Sequence, residues 1–284
     1  MLHILTDSTS DLTQELINEF HLTVLPLHIM LGDQDYLDGP GISYDSIYAW
    51  ADREKSLPKT AAPSVDEAKA TLRPLIENGE DEVICFSISA SMSASNSVME
   101  LAAKQLHAED RITVIDSANL STGIALLVLY AAEDAMRGAS REETVRHVLS
   151  LRDKVRASFV VDTLEYLHRG GRCSGLSAMM GSVLHLHPKI MVENGAMRPD
   201  RKYRGRIDSV IMHYVRDMEE DLKKAKRERV FITHSTCDPR TVEAVKQYLE
   251  GLGQFDRVLE THAGGVVSSH CGPGTLGVLF VAEG

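Results

Sequence analysis

Residues 87–97 read Ser-Ile-Ser-Ala-Ser-Met-Ser-Ala-Ser-Asn-Ser, a hydroxyl at alternate positions through Ser93, Ser95 and Ser97. An apolar run at residues 83–88 precedes them, and Val98, Leu101, Ala102, Gln105 and Leu106 follow at helical spacing. Two readings are open: a serine-rich loop that caps the helix, or a cradle of O–H and N–H donors for a carboxylate or phosphate. A nucleophilic serine has less support, because no G-x-S-x-G elbow occurs. His270 stands between a Gly264-Gly265 bend and the Gly272-Pro-Gly274 turn, where a histidine either does chemistry or packs. Gly272-Pro-Gly-Thr-Leu-Gly277 spells G-x-G-x-x-G, but that fingerprint needs a helix after it and an acidic residue about 20 positions on. Only seven residues follow Gly277, and Val278-Leu-Phe-Val281 reads as a strand, so no dinucleotide site is expected. No Walker-type phosphate loop is present. Five basic residues fall within nine positions, at Arg198, Arg201, Lys202, Arg204 and Arg206, either a solvated loop or a phosphate- or partner-binding patch.

The elements around these groups alternate short β-type runs with helical patterns, the mark of an α/β fold. Strands are expected near residues 2–6, 22–29, 83–88, 112–115, 159–161, 230–233, 258–261 and 276–281. Ser64-Val-Asp-Glu67 and Ser140-Arg-Glu-Glu143 are capping boxes, Asp238-Pro239 starts another helix, and Pro74 should cut short the first of the three. Ile207, Val210, Ile211, Tyr214, Met218 and Leu222 form one amphipathic helix, whose end is closed by a basic run at residues 223–229. Asn194-Gly195 marks a hairpin, an antiparallel feature that the first half lacks. Three strand ends read Asp7-Ser8, Asp116-Ser117 and Asp162-Thr163, as helix caps, as the rim of a cleft, or both. The expectation is a parallel-sheet βα domain over residues 1–158 and a mixed α/β domain over residues 159–284.

At 284 residues the chain holds about two domains, and 43% hydrophobic with 25% charged residues excludes disorder. A net charge of −11 argues against tracking a nucleic-acid backbone. The four cysteines are scattered, with no C-x-x-C and no histidine pair at zinc spacing, which points to reduced thiols and no metal. The longest apolar run, residues 124–132, is about half of a membrane span, and the N-terminus does not read as a signal peptide; a soluble cytoplasmic protein is expected. Eleven methionines against 5% aromatic residues suit a deformable apolar cavity or plain core filling.

Seven segments resemble, in order and spacing, one family. They are Leu5-Thr-Asp-Ser-Thr9, Lys59-Thr-Ala-Ala-Pro-Ser64, Met92-Ser-Ala-Ser95, Asp116-Ser117, Thr163-Leu-Glu-Tyr-Leu-His-Arg-Gly-Gly-Arg172, Lys202-Tyr-Arg-Gly-Arg206 and His270-Cys-Gly-Pro-Gly274. The family is that of the DegV proteins, bacterial fatty-acid-binding proteins of the kind that serve fatty acid kinase. The resemblance implies two α/β domains with one long-chain fatty acid, such as palmitate, buried between them. It implies that Thr60, Ser93 and His270 bind the carboxylate and that Arg204 assists phosphotransfer. It further implies a separate ATP-binding kinase subunit as partner, no catalysis by this chain alone, and no cofactor beyond the lipid. The rival readings are a lipid reservoir without a kinase partner, or a phosphotransferase or hydrolase using His270 and a serine. The chain departs from the family pattern at Ala61 and Ala62 (usually Ser-Gln), at Met92 and Ala94 (usually Leu-Ser-Gly), and at His187, where a Lys-Pro pair is typical.

Overall fold

The structure is a computed structural model and describes residues 1–39, 41–173 and 186–283. The first half contains β1 (Leu2–Asp7), α1 (Gln14–Glu19), β2 (Thr23–Leu25), β3 (His28–Leu31), β4 (Gln34–Leu37), α2 (Tyr44–Glu54), β5 (Lys59–Ala61) and α3 (Val65–Leu72). It continues through β6 (Glu82–Ser87), α4 (Ser95–Gln105), β7 (Ile112–Asp116), α5 (Thr122–Met136) and α6 (Arg141–Arg152). The second half begins with β8 (Val155–Val160), α7 (Glu165–Gly170), β9 (Leu186–Glu193), β10 (Ala196–Arg204), α8 (Ile207–Asp217) and α9 (Glu219–Leu222). It ends with β11 (Ala225–Ser235), α10 (Pro239–Gly251), β12 (Val258–His262), α11 (Gly265–Cys271) and β13 (Thr275–Ala282).

Strands β2-β1-β6-β7 form a parallel sheet, and β10-β9-β8-β13-β11-β12 a mixed one in which only β11 and β12 pair in parallel. The expected α/β architecture of two domains is therefore present. Strand β8, which spans the expected boundary at residue 158, belongs whole to the mixed sheet. Helices α3 and α4 cover the outer face of the parallel sheet, and α8 and α10 that of the mixed sheet. Between the sheets lies α5, and every residue from Ile124 to Ala132 is buried. A helix that is apolar all round has no face to offer water, so it must be enclosed by protein or lipid. Here two sheets enclose it, and no described helix is long and apolar enough to cross a membrane.

Local signals behave as their chemistry requires. Both capping boxes form, α3 stops at Leu72, and Pro74 sits in a following 3₁₀ turn. Asn194 and Gly195 both take positive φ and close a two-residue hairpin between β9 and β10. Four expectations are corrected. Residues 22–29 are not one strand: β2 joins the parallel sheet, while β3, beyond Pro26, pairs with β4 and β5 in a small antiparallel sheet. The first half thus does contain antiparallel pairing, made by edge strands too short to carry a readable alternation. The amphipathic segment 207–222 breaks at Met218 into α8 and α9. The basic run 223–229 leaves the helix at Lys223 and runs into β11, where Arg229 is buried against Glu133 and over the Tyr130 ring.

The enclosure of α5 sets a stability contrast. Leu127→Ala should cost about 2–5 kcal/mol through lost burial and a cavity, whereas Leu149→Ala, on the exposed side of α6, should stay within about 0.5 kcal/mol of wild type. Urea unfolding of the two variants measures both.

Candidate functional site

A cavity of about 220 Å³ opens where the small sheet, the β6–α4 loop, the β7–α5 loop and α11 meet. Its walls are mostly apolar, from Leu27, Ile88, Met92, Leu120, Met197, Val266 and Val267. Thr60, Ser93, His270 and Arg172 supply its main polar side chains. A smaller chamber reaches deeper and shares Leu120, Val267 and Cys271 with it, ending at Phe159 and Leu279. The structure therefore brings Thr60, Ser93 and His270 together from positions up to 210 residues apart.

Each is held by a different device. Thr60 lies on β5, opposite Ile29. Ser93 lies in the turn before α4, and its Oγ accepts the Ser95 N–H at 3.2 Å. Three other serines of the run tie elements together. Ser89 and Ser91 donate to the Gly195 carbonyl and fasten the β9–β10 hairpin, and Ser95 donates to Asp7. The run does not cap α4, whose N-cap is Ala94 with no side-chain hydrogen bond, and Ser93 is the serine of the run that lines the cavity. Of the three strand-end pairs only Asp7 caps a helical turn, accepting the Thr9 N–H, and it also accepts Ile88 N–H; Asp116 accepts Ala90 and Ala118 N–H groups and the Thr163 hydroxyl accepts Glu165 N–H within loops.

His270 sits in the last turn of α11, whose N-terminus is gripped by carboxylates of the first half. Asp11 accepts the Gly264 N–H at 2.8 Å, and Asp38 accepts Gly265 at 2.8 Å and Val266 at 3.3 Å. A side chain at Gly265 would collide with Ile29, Ile47 and Asp38, so only glycine permits this approach. The Gly272-Pro-Gly274 segment is the left-handed exit from α11 into β13, which is why its dinucleotide spelling carries no dinucleotide chemistry.

The imidazole Nε2 lies 2.7 Å from Thr60 Oγ1, while Nδ1 is buried without a partner against Gly170. A bare lone pair costs less there than an unsatisfied N–H, so Nε2–H donates to Thr60 and the Thr60 O–H is free to donate onward. Burial, and then the Arg172 charge, pushes the His270 pKa down to about 4, so the ring is neutral at physiological pH. Burial also raises Asp11 well above the usual carboxylate range, with the Asp38 and Asp7 charges adding to it against the bonds from Ser121 and Gly264.

Arg172, the last residue of the Thr163–Arg172 segment, is a cavity residue that the sequence does not mark out. It lines the cavity with its guanidinium donating to the Gly170 carbonyl at 2.7 Å. No spacing signal distinguishes it from its neighbours. Arg204 lies at the exposed end of β10, outside the cavity wall, and makes no side-chain hydrogen bond or ion pair among the described residues. Ala61, Ala62 and Ala94 do line the cavity, so methyl groups stand where the family pattern has polar or absent side chains. His187 is buried away from it, with Nδ1 facing Val161 O and Nε2 facing Gly205 O.

These features define a class: a two-domain α/β protein with an apolar pocket at the domain junction and a polar end. The sequence profile described as "Uncharacterised protein, DegV family" matches residues 1–283, and the chain belongs to that family. A DegV domain-containing protein of Caldanaerobacter subterraneus is 31% identical over 98% of this chain and 97% of its own length. One from Deinococcus radiodurans is 30% identical over 97% and 96%. Among solved structures, a fatty-acid-binding DegV family protein from Thermus thermophilus superposes with a TM-score of 0.90 at 31% identity, covering 99% of both chains. A stearic-acid-binding protein from Eubacterium ventriosum gives 0.85 at 27%, covering 100% and 99%.

The two buried groups oppose each other in pH. His270 binds protons more weakly folded than unfolded, so its contribution to stability is complete above pH 6.5 and is lost as pH falls toward about 4. Asp11 binds protons more tightly folded, so its contribution grows as pH falls through its raised pKa. In ligand-free protein, the His270 ring resonances in a proton NMR titration should stay neutral through pH 6.5 and move only near pH 4. Gly170→Ala, which places a Cβ on Nδ1, should displace the ring and return its titration toward the ordinary value.

Proposed function

We propose that this protein binds one long-chain fatty acid and presents its carboxylate to a separate ATP-binding kinase subunit for conversion to an acyl-phosphate. The observation that carries the reading is the pairing of an apolar cavity with a polar end where the hydroxyls of Thr60 and Ser93 and the neutral His270 meet, beside Arg172. A 16-carbon acid offers ~14 methylenes at ~0.8 kcal/mol each, an upper limit of ~11 kcal/mol before ordering costs. The tail supplies the affinity; the head needs only to be satisfied.

Thr60 and Ser93 would donate to the carboxylate, with His270 holding the Thr60 hydroxyl in the donating orientation. Neutral donors leave a carboxylate oxygen able to attack phosphorus, where a bidentate arginine would occupy both oxygens. The charge that develops on the transferring phosphoryl group must then be met by a cation. Arg204, exposed and unpaired among the described residues, is suited to that task alongside a docked kinase. Fatty acid binding by the Thermus and Eubacterium relatives supports the first part of this reading. A serine hydrolase is poorly supported: the His270 Nε2 partner is Thr60, and Ser93 Oγ is engaged by a backbone N–H.

Mass spectrometry of an organic extract should find one fatty acid per chain; an empty extract together with no calorimetric binding of palmitate or oleate would reject the lipid reading. Ser93→Ala or His270→Ala should weaken binding by about 1–3 kcal/mol, and equal binding of a methyl ester would show that the head end is misassigned. Arg204→Ala should keep its lipid yet lose acyl-phosphate formation by orders of magnitude. A phosphorylation assay with a cognate kinase subunit and ATP, beside a lipid assay on the same preparation, separates the two effects.

A further inference from the structure

Strands β11 and β12 run parallel, with Ile232 opposite Glu260 and His234 opposite His262. The two-residue period of a strand puts His234, His262 and Glu260 on one face of the sheet. One donor atom from each lies within 4.8 Å of the others. His234 is 5% exposed; its Nε2 faces Glu260 Oε1 at 3.4 Å, too long for a good hydrogen bond, and its Nδ1 has no partner. Its imidazole is thus poorly used by the fold. The His262 ring lies 4.3 Å from it, centroid to centroid, and is backed on its other side by Tyr44 at 5.3 Å. Glu260 and His262 are open to solvent.

We propose that His234, Glu260 and His262 bind one transition-metal dication of the zinc type. Two imidazoles and one carboxylate are the donor set of borderline dications, whereas calcium and magnesium take oxygen ligands. The buried His234 is the fixed ligand. The exposed Glu260 and His262 side chains have the freedom to close the remaining distance, and the outer face leaves a coordination position for water. The Tyr44 stack limits rotation of His262 and joins the site to α2 of the first domain. Glu260 and His262 line neither chamber of the cavity, whereas the buried His234 borders the deeper one, so the two exposed ligands can be changed without touching the cavity wall.

Cobalt(II) is the probe, because four-coordinate Co²⁺ shows intense visible d–d bands, and zinc sulfate calorimetry gives the stoichiometry. Wild-type protein should take up one ion per chain. His262→Ala and Glu260→Gln, both at exposed positions, should each weaken binding by at least about tenfold, with fatty acid content unchanged. Loss of affinity in either variant with the lipid retained supports the site. Absence of cobalt bands and of zinc heats in the wild type, or undiminished affinity in both variants, overturns it.

Discussion

The contact on which the candidate site depends is the capture of the N-terminus of α11 by Asp11 and Asp38. Helix α11 belongs to the second domain by sequence, yet its first amides are bonded to carboxylates of the first. A helix N-terminus carries unpaired N–H groups and partial positive charge, so a buried carboxylate there satisfies both needs at once. The contact is close because Gly265 has no side chain, and the small sheet can then pack Ile29 against Val266. Tyr48 adds a further tie to Ser235 and the Ser268 carbonyl. Moved from this anchorage, His270 would lose Thr60, and the cavity would lose the wall formed by Val266, Val267 and Cys271.

Three buried carboxylates, Asp7, Asp11 and Asp38, lie at the same junction, all raised by burial. Their hydrogen bonds are directed at backbone amides and hydroxyls, which consumes their acceptor capacity in joining elements. The donors that face the cavity are instead the hydroxyls of Thr60 and Ser93, oriented by a neutral imidazole and a backbone amide. Arg172, which also lines the cavity, helps burial to depress the histidine and makes no ion pair among the described residues. The arrangement separates two tasks: the buried carboxyl groups join the elements, while Thr60, Ser93, His270 and Arg172 meet the cavity.

Much of the local structure was legible in the residues. The capping boxes, the shortening of α3 ahead of Pro74 and the Asn194-Gly195 hairpin each follow from short-range chemistry acting over a few positions. The failure of the G-x-G-x-x-G spelling was legible too, because the strand that follows Gly277 denies it a helix. What misled were short edge strands and terminal turns. Pro26 divides residues 22–29 between two sheets, and Met218 divides α8 from α9, in both cases because tertiary packing decides where a weak local pattern ends.

By itself, the sequence determined the α/β class, the periodic faces of the longer elements and, through seven ordered motifs, the family. Only the tertiary structure decided which serine faces the cavity, that His270 is paired with Thr60 and bare on its other nitrogen, that Arg172 lines the cavity, and that His234, Glu260 and His262 share one face. The physical reason is the range of the interactions. Helix caps, turns and amphipathic periods act between residues a few positions apart, so they are written in adjacent letters. A hydrogen bond between positions 60 and 270, or three donors on neighbouring strands, exists only after the sheets have fixed their register and packed.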